Sequence, residues 1–263
     1  MIDLRGQVCI VTGASGLIGL AVCRLLLRQQ AVVLALFHRH GAALDDLGAT
    51  AAAMAGEMAG ASAPADTRPV GRLDTLQVDL TDPAAARTVV AQALERHGRV
   101  DALIHCAGTT LRKSALMTSR ADQAALFDLN LVSATQLCRE VLRPMWRQNS
   151  GRIVLVGSRA GAHGLPGQAD YAATKAALEG YAKSLAGEVG RHQITVNVVA
   201  PGALVAPPGS PYSEDEQTRI QAAIGLGRVA QPEEIAAVVA FLVSPLASYV
   251  SGAVIPVDGA ARF

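Results

Sequence analysis

The chain has 263 residues, enough for one α/β domain with a full core; 51% of them are hydrophobic and only 17% charged, which leaves apolar surface to be covered and predicts an oligomer. A net charge of +1 and an aromatic content of 3% argue against a phosphate-tracking groove or a base-stacking platform, and so against nucleic acid as a partner.

The opening Met1-Ile2-Asp3-Leu4-Arg5 is not a charged leader followed by an apolar stretch. The late apolar run from Ile235 to Val243 is far short of the roughly 20 residues a membrane span needs, so a cytoplasmic protein with no membrane contact is expected. The cysteines at 9, 23, 106 and 138 lie mostly in apolar segments without C-x-x-C spacing, which reads as reduced core thiols with no disulfide and no metal site.

Short β-branched runs alternate with longer helical patterns from end to end. The predicted strands are Val8 to Val11, Val32 to Phe37, Leu73 to Val78, Ala102 to Cys106, Arg152 to Val156, Thr195 to Val199 and Val254 to Val257. Most are continuous apolar runs, as expected when both faces of a parallel strand are buried. Helices are predicted near 17–29, 83–97, 121–148, 169–189 and 232–243, with Pro83 and Pro232 at two helix starts. The pattern predicts a single doubly wound, Rossmann-type α/β domain over 1–263, with a seven-stranded parallel sheet and helices on both faces. Two stretches exceed tight βα packing. The Ala/Gly/Pro-rich 41–72 reads as a helix plus a surface insertion, and the Pro/Gly-rich segment from Gly202, opening at Glu214-Asp215-Glu216 into a short helix, reads as a substrate lid over 202–226.

Thr12-Gly13-Ala14-Ser15-Gly16-Leu17-Ile18-Gly19 follows the first strand and leads straight into an apolar helix. That order makes it a phosphate cradle: glycines let the backbone approach a pyrophosphate, and the free N–H groups of the helix end offer it countercharge. Asp79, after the third strand, has two readings, as acceptor for an adenine amino group or as cap for the helix near Pro83. Cys106-Ala107-Gly108 supplies small residues either for close passage of a ribose or for a plain turn. At the end of the second strand, Leu36-Phe37-His38-Arg39-His40 contains no acid to bond a ribose 2′-OH. Arg39 suits a 2′-phosphate, with Ser15 in support, so NADPH is expected over NAD; the alternative is a solvated basic turn.

Tyr171 and Lys175 stand four residues apart on a predicted helix, hence on one face. A carbonyl receiving a hydride needs a proton, and a phenol near its ordinary pKa of about 10 is a poor acid–base catalyst unless a cation favours its anion. Ser158, ending a strand upstream, would polarise the same oxygen. Singly, the pair is a surface pair and the serine a cap; jointly they point to hydride transfer between a nicotinamide and a carbonyl or alcohol. A serine hydrolase is disfavoured because Val156-Gly157-Ser158-Arg159-Ala160 is not a G-x-S-x-G elbow and His163 has no acidic orienter.

From Leu4 to Gly259 these residues resemble the short-chain dehydrogenase/reductase family. The matching features are Thr12-Gly13 with Gly16 and Gly19, Asp79, Ala107-Gly108, Asn130 in Asp128-Leu129-Asn130-Leu131, Ser158, Tyr171 with Lys175, and Pro201-Gly202. Gly167-Gln168-Ala169-Asp170-Tyr171, Lys183-Ser184-Leu185-Ala186 and Gln231-Pro232-Glu233-Glu234-Ile235 are most similar to 3-oxoacyl-acyl-carrier-protein reductases. The resemblance implies a catalytic tetrad of Asn130, Ser158, Tyr171 and Lys175, with Asn130 holding a relay water and Lys175 also bonding the nicotinamide ribose. It implies a cofactor-binding set of Gly13, Ser15, Gly16, Ile18, Gly19, Arg39, Asp79, Leu80, Cys106, Ala107, Gly108, Tyr171, Lys175, Pro201, Gly202 and Leu204, and no metal. It implies a homotetramer built through the helices that carry Asn130 and Tyr171. The expected substrate is a small carbonyl compound, carried on acyl carrier protein whose acidic surface would meet Arg139, Arg143 and Arg147. The alternatives are a free ketone, polyol, steroid or polyketide-like substrate, and a dinucleotide-binding sensor without turnover. Three departures stand out: Leu17 where compact members carry the middle glycine, Cys106 for an asparagine, and Val205-Ala206 for a threonine.

Overall fold

The computed structural model describes residues 2–49, 71–205 and 213–262. Their strands are β1 (Val8–Thr12), β2 (Val32–Phe37), β3 (Arg72–Gln77), β4 (Ala102–His105), β5 (Gly151–Val156), β6 (Ile194–Pro201) and β7 (Val254–Val257). They form one seven-stranded sheet in the order β3-β2-β1-β4-β5-β6-β7, with every pairing parallel. The strand order reverses between β1 and β4, and a doubly wound sheet opens its ligand crevice at the carboxyl edge of such a switch point.

The helices are α1 (Leu17–Arg28), α2 (42–49), α3 (Ala85–His97), α4 (Arg120–Phe127), α5 (Ser133–Gln148), α6 (Arg159–His163), α7 (Ala169–Val189), α8 (Glu214–Ala222) and α9 (Pro232–Val243). Alternation along each strand divides the core into two layers. Ile10, Leu34, Leu103, Ile153, Val196 and Val198 pack with α3, α5 and α7, whereas Cys9, Val11, Val33, Ala102, Ile104 and Val199 pack with α1 and α9. At roughly 25 cal/mol per Å² of apolar area, these layers are the main source of stability.

The predicted strands all form, Val32–Phe37 and Val254–Val257 with the predicted ends and the others with ends moved by one or two residues. Cys106 falls just outside β4, which ends at His105. Pro232 does open α9, but Pro83 does not open α3. It lies in a turn closed by Asp82, whose Oδ1 accepts from Ala84 N at 2.8 Å, and the helix begins two residues later. The helix predicted over 121–148 is instead α4 and α5 joined by a π-turn, Asp128–Val132. The helix expected within 41–72 is present at 42–49; the rest of that insertion, 50–70, lies outside the described residues, as does 206–212 of the predicted lid. Within the segment predicted as a lid, α8 forms where the acidic run places it, its Ser213 cap and Glu216 making a reciprocal capping box. Short α6 went unpredicted. No helix among the described residues is long and apolar enough to cross a membrane.

Candidate active site

The cradle is built from backbone. Gly13 has φ +58°, and a Cβ there would lie 2.8 Å from Ala107 N and Cα, so the glycine both permits the left-handed turn and admits the β4 loop. Gly19 is tighter still: a Cβ would collide with the Gly13 carbonyl. Gly16 caps α1 with no side-chain hydrogen bond, and the first turn of α1 holds no acidic residue, so the helix end keeps its donors and positive field for an anion. Leu17 points outward, 46% exposed; the departure from a glycine there leaves the turn intact. Ser15 is half-buried beside Gly16. Ile18 packs against the α1–α9 layer, and Leu80 is buried in the other layer.

At the end of β2, His38, Arg39 and His40 are exposed. Asp79 belongs to this corner. Its Oδ2 lies 3.7 Å from His38 Nε2, while Oδ1 accepts from Thr81 N at 2.9 Å and Thr81 Oγ1 at 2.7 Å. Those bonds to Thr81, with smaller help from His38 and Arg39, hold the carboxyl below the usual range. Asp79 therefore closes a local turn; the helix-cap reading is corrected, since α3 begins at Ala85 with Ala84 as its N-cap and no side chain capping it.

The catalytic side is built from buried side chains. Asn130 is fully buried in the π-turn. Its Oδ1 accepts from Thr109 N at 2.8 Å, and its Nδ2 donates to Thr109 O at 2.9 Å and Thr174 Oγ1 at 3.1 Å. Lys175, on α7, is 5% exposed. Its Nζ donates to Val156 O at 2.9 Å and lies 5.8 Å from the centre of the Tyr171 ring. Burial pulls its pKa down to about 8, against a smaller opposing pull from Cys106. Gly108 sits between the two: a Cβ there would be 3.1 Å from Asn130 Oδ1 and 3.4 Å from Lys175 Nζ. Ser158, two residues beyond Val156, caps α6, its Oγ accepting from Ala160 N at 3.1 Å. Asn130 and Lys175 thus meet around Gly108, with the Tyr171 ring beside the Lys175 ammonium, and Ser158 stands at the strand end that anchors Lys175.

A buried polar pair beneath this group was not visible in the sequence. Thr12 Oγ1 accepts from Ala107 N at 3.0 Å and lies 3.1 Å from His105 Nδ1. His105 is fully buried, and its Nε2 has no hydrogen-bond partner among the described residues. Burial first, and the Lys175 charge second, lower its pKa to about 3, so the ring is neutral. This pair locks the Cys106-Ala107-Gly108 turn against Gly13. Cys106 packs toward the α1–α9 layer, where burial raises its thiol to about 12, the behaviour of an inert core thiol.

On the far side of the crevice, Pro201 ends β6 and Gly202 N donates to Val257 O at 3.0 Å. Leu204 bridges to Ala230, and Val205, where a threonine was expected, donates its N–H to Ala230 O. Of the three arginines considered for carrier docking, Arg139 and Arg143 share a cleft of about 230 Å³ with Arg87 and Glu140, between α3 and α5. Arg147 does not line it. Seventeen residues past Asn130, it lies roughly 25 Å further along at 1.5 Å rise per residue. No cluster of three or more His, Cys, Asp or Glu side chains able to hold a metal occurs among the described residues.

A parallel sheet with a glycine cradle at its switch point, and a Tyr-x3-Lys pair whose lysine is anchored at the strand end that leads to Ser158, defines a nicotinamide-dependent oxidoreductase. A family model described as enoyl-(acyl carrier protein) reductase matches residues 18–260, and the chain belongs to the short-chain dehydrogenase/reductase family. It is 36% identical over 258 residues to the 3-oxoacyl-acyl-carrier-protein reductase FabG of Salmonella typhimurium, covering 98% of each chain. The same figures hold for the protein of that name from Escherichia coli. The Thermotoga maritima protein of that name is 34% identical over 256 residues, covering 97% of this chain and 98% of its own.

Proposed function

We propose that this protein is an NADPH-dependent carbonyl reductase that converts a 3-oxoacyl thioester to its 3-hydroxyacyl form. The observation that carries the reading is the buried Lys175 beside the Tyr171 ring, at the same strand end as Ser158, in a chain similar to 3-oxoacyl-acyl-carrier-protein reductases over 98% of its length.

The cradle suits a dinucleotide: Gly13 and Gly19 let the loop close tightly on Ala107 and on itself, and the first turn of α1, with neither a side-chain cap nor an acid, leaves N–H groups for a pyrophosphate. Gly13, Ser15, Gly16, Ile18 and Gly19 would hold the pyrophosphate; Arg39 with Ser15, the 2′-phosphate; Asp79 and Leu80, the adenine. Cys106, Ala107, Gly108, Pro201, Gly202 and Leu204 would border the nicotinamide and its ribose, which Lys175 would also bond. When bound, the reduced nicotinamide supplies the hydride. Tyr171 gives its phenolic proton to the carbonyl oxygen as the C–H bond forms, and Ser158 orients that oxygen by hydrogen bonding. Lys175, still largely protonated at pH 7, favours the phenolate that remains. Asn130 ties Thr109 to Thr174 across Gly108 from Lys175, where a relay water would sit.

Residues 1–263 act as one cofactor-binding and catalytic domain, with 41–72 as a surface insertion and 202–226 as a substrate lid. The pair Arg112 Nη2–Glu216 Oε1, at 3.2 Å, ties α8 to the loop after β4, which supports the lid. A homotetramer would form through α5 and α7, whose outer face carries a hollow of about 350 Å³ lined by Leu142, Tyr181 and Leu185 among others. The α3 side of α5, with Arg87 and Arg143, is left for an acidic carrier protein. Four free cysteines, three of them buried, support a cytoplasmic setting.

The test is NADPH oxidation by the purified chain with acetoacetyl, crotonyl and free-ketone substrates. Turnover is expected with the acetoacetyl thioester above the others. Preference for crotonyl thioester would make it an enoyl reductase, preference for a free ketone would move the substrate class, and NADPH binding without turnover on any of them would make it a sensor.

A further inference from the structure

Arg159 follows Ser158 directly and opens α6. Its Nε lies 2.5 Å from Asp258 Oδ2, with the two side chains only 21% and 11% exposed. The buried N–H has no aligned hydrogen-bond acceptor, so the contact is an ion pair, strengthened by its partly dry surroundings. Nη2 of the same guanidinium touches His163 Nε2 one turn along. Asp258 follows the end of β7, and its Oδ1 accepts from Ala260 N at 3.1 Å. Its backbone presses on the nicotinamide-side turn: a Cβ at Gly202 would come within 2.8 Å of Asp258 Cα. The opposite flank of α6 rests on α7, where a Cβ at Gly161 would be 2.9 Å from Ala176 N and 3.0 Å from Lys175 C. A five-residue helix cannot sustain itself. It is held between the Lys175 peptide and Asp258.

We propose that Arg159 is a positioning residue for the reduction: through Asp258 it fixes the first turn of α6, and with it Ser158 Oγ, relative to the Pro201–Gly202 turn, without itself touching substrate. The inference rests on the reading of Ser158 as the group that orients the carbonyl oxygen. A misplacement of about 1 Å at such a group is enough to cost up to ~100-fold in rate.

The full chain carrying Arg159→Ala, Asp258→Asn, Ser158→Ala, or Ser158→Ala with Arg159→Ala tests this by steady-state kinetics with acetoacetyl thioester, alongside NADPH affinity and thermal unfolding. Arg159→Ala and Asp258→Asn are each expected to lower kcat about tenfold while leaving the NADPH Kd within about twofold. In the Ser158→Ala background, Arg159→Ala should cost less than about twofold more, because residues acting as one unit are not additive. An unchanged kcat in Asp258→Asn, or the same tenfold loss from Arg159→Ala in both backgrounds, overturns the proposal. A Ser158→Ala variant with unaltered turnover would remove the underlying reading and this inference together. Normal turnover in Arg159→Ala beside a crippled Ser158→Ala removes the inference alone.

Discussion

The two ends of the crevice are made of different material. Around β1 and α1 the shape is set by backbone alone, with Gly13 and Gly19 leaving no room for a methyl group. Around β5 and α7 it is set by buried polar side chains, Asn130 and Lys175, each hydrogen-bonded to a named partner. The first end should be broken by adding an atom and the second by removing one.

Gly19→Ala is the most damaging change expected. The new methyl meets the Gly13 carbonyl inside the loop it must preserve, and overpacking of this kind costs about 1–3 kcal/mol or more. NADPH binding should be abolished and thermal unfolding shifted down by several degrees; a calorimetric titration showing ordinary affinity would mean the cradle is not where the dinucleotide sits. Tyr171→Phe removes one oxygen from the other end. Turnover should fall by at least the roughly 100-fold typical of a lost acid–base group, with NADPH affinity retained. A phenylalanine variant that turns over normally would strike out the tetrad.

Lys175→Met separates function from stability. Lys175 is pulled from 10.5 to about 8 by burial, so between those values the unfolded chain binds a proton that the folded one does not. Stability therefore rises with pH across that interval, and below about pH 8 the buried charge carries its full penalty of about 3 kcal/mol. Methionine should remove turnover and weaken NADPH binding. At pH 7 it should raise stability by about 2 kcal/mol once the lost bond to Val156 is counted, an advantage that fades as pH approaches 10.5. Denaturant unfolding at pH 7 and pH 10 decides it: a methionine variant less stable at pH 7 contradicts the sign. The smallest effect belongs to the cradle's outer edge. Arg39→Ala should weaken NADPH about tenfold and NADH hardly at all, with the difference shrinking as salt is raised. Equal loss for both cofactors would take the 2′-phosphate role from Arg39.

Features with a local period were legible in the sequence. Tyr171 and Lys175 share a face because α7 is helical, and apolar runs such as Val32–Phe37 place strands because both of their faces are buried. Where a motif depends on pairing across the sheet, the sequence is mute: Thr12 with His105 and Arg159 with Asp258 join residues more than 90 positions apart. Local signals also mislead when neighbours compete. Asp79 reads equally as an adenine acceptor or as the cap of the helix after β3, and its bonds to Thr81, with a helix start at Ala85 that no side chain caps, remove the cap reading. The π-turn at Asn130 interrupts a stretch in which no glycine or proline marks the break, and α6 is too short to show any period.

The neutral His105 ring has a practical consequence. Histidine signals in most proteins drift through the physiological range, but a ring held at about 3 keeps one charge state from mild acid to alkali. Its nitrogen resonances would form a fixed baseline within the field of Lys175. Any displacement of them on adding a dinucleotide reports events in the crevice rather than the buffer, so labelled histidine alone gives a titration for ligand entry that needs no substrate, no turnover and no engineered tag.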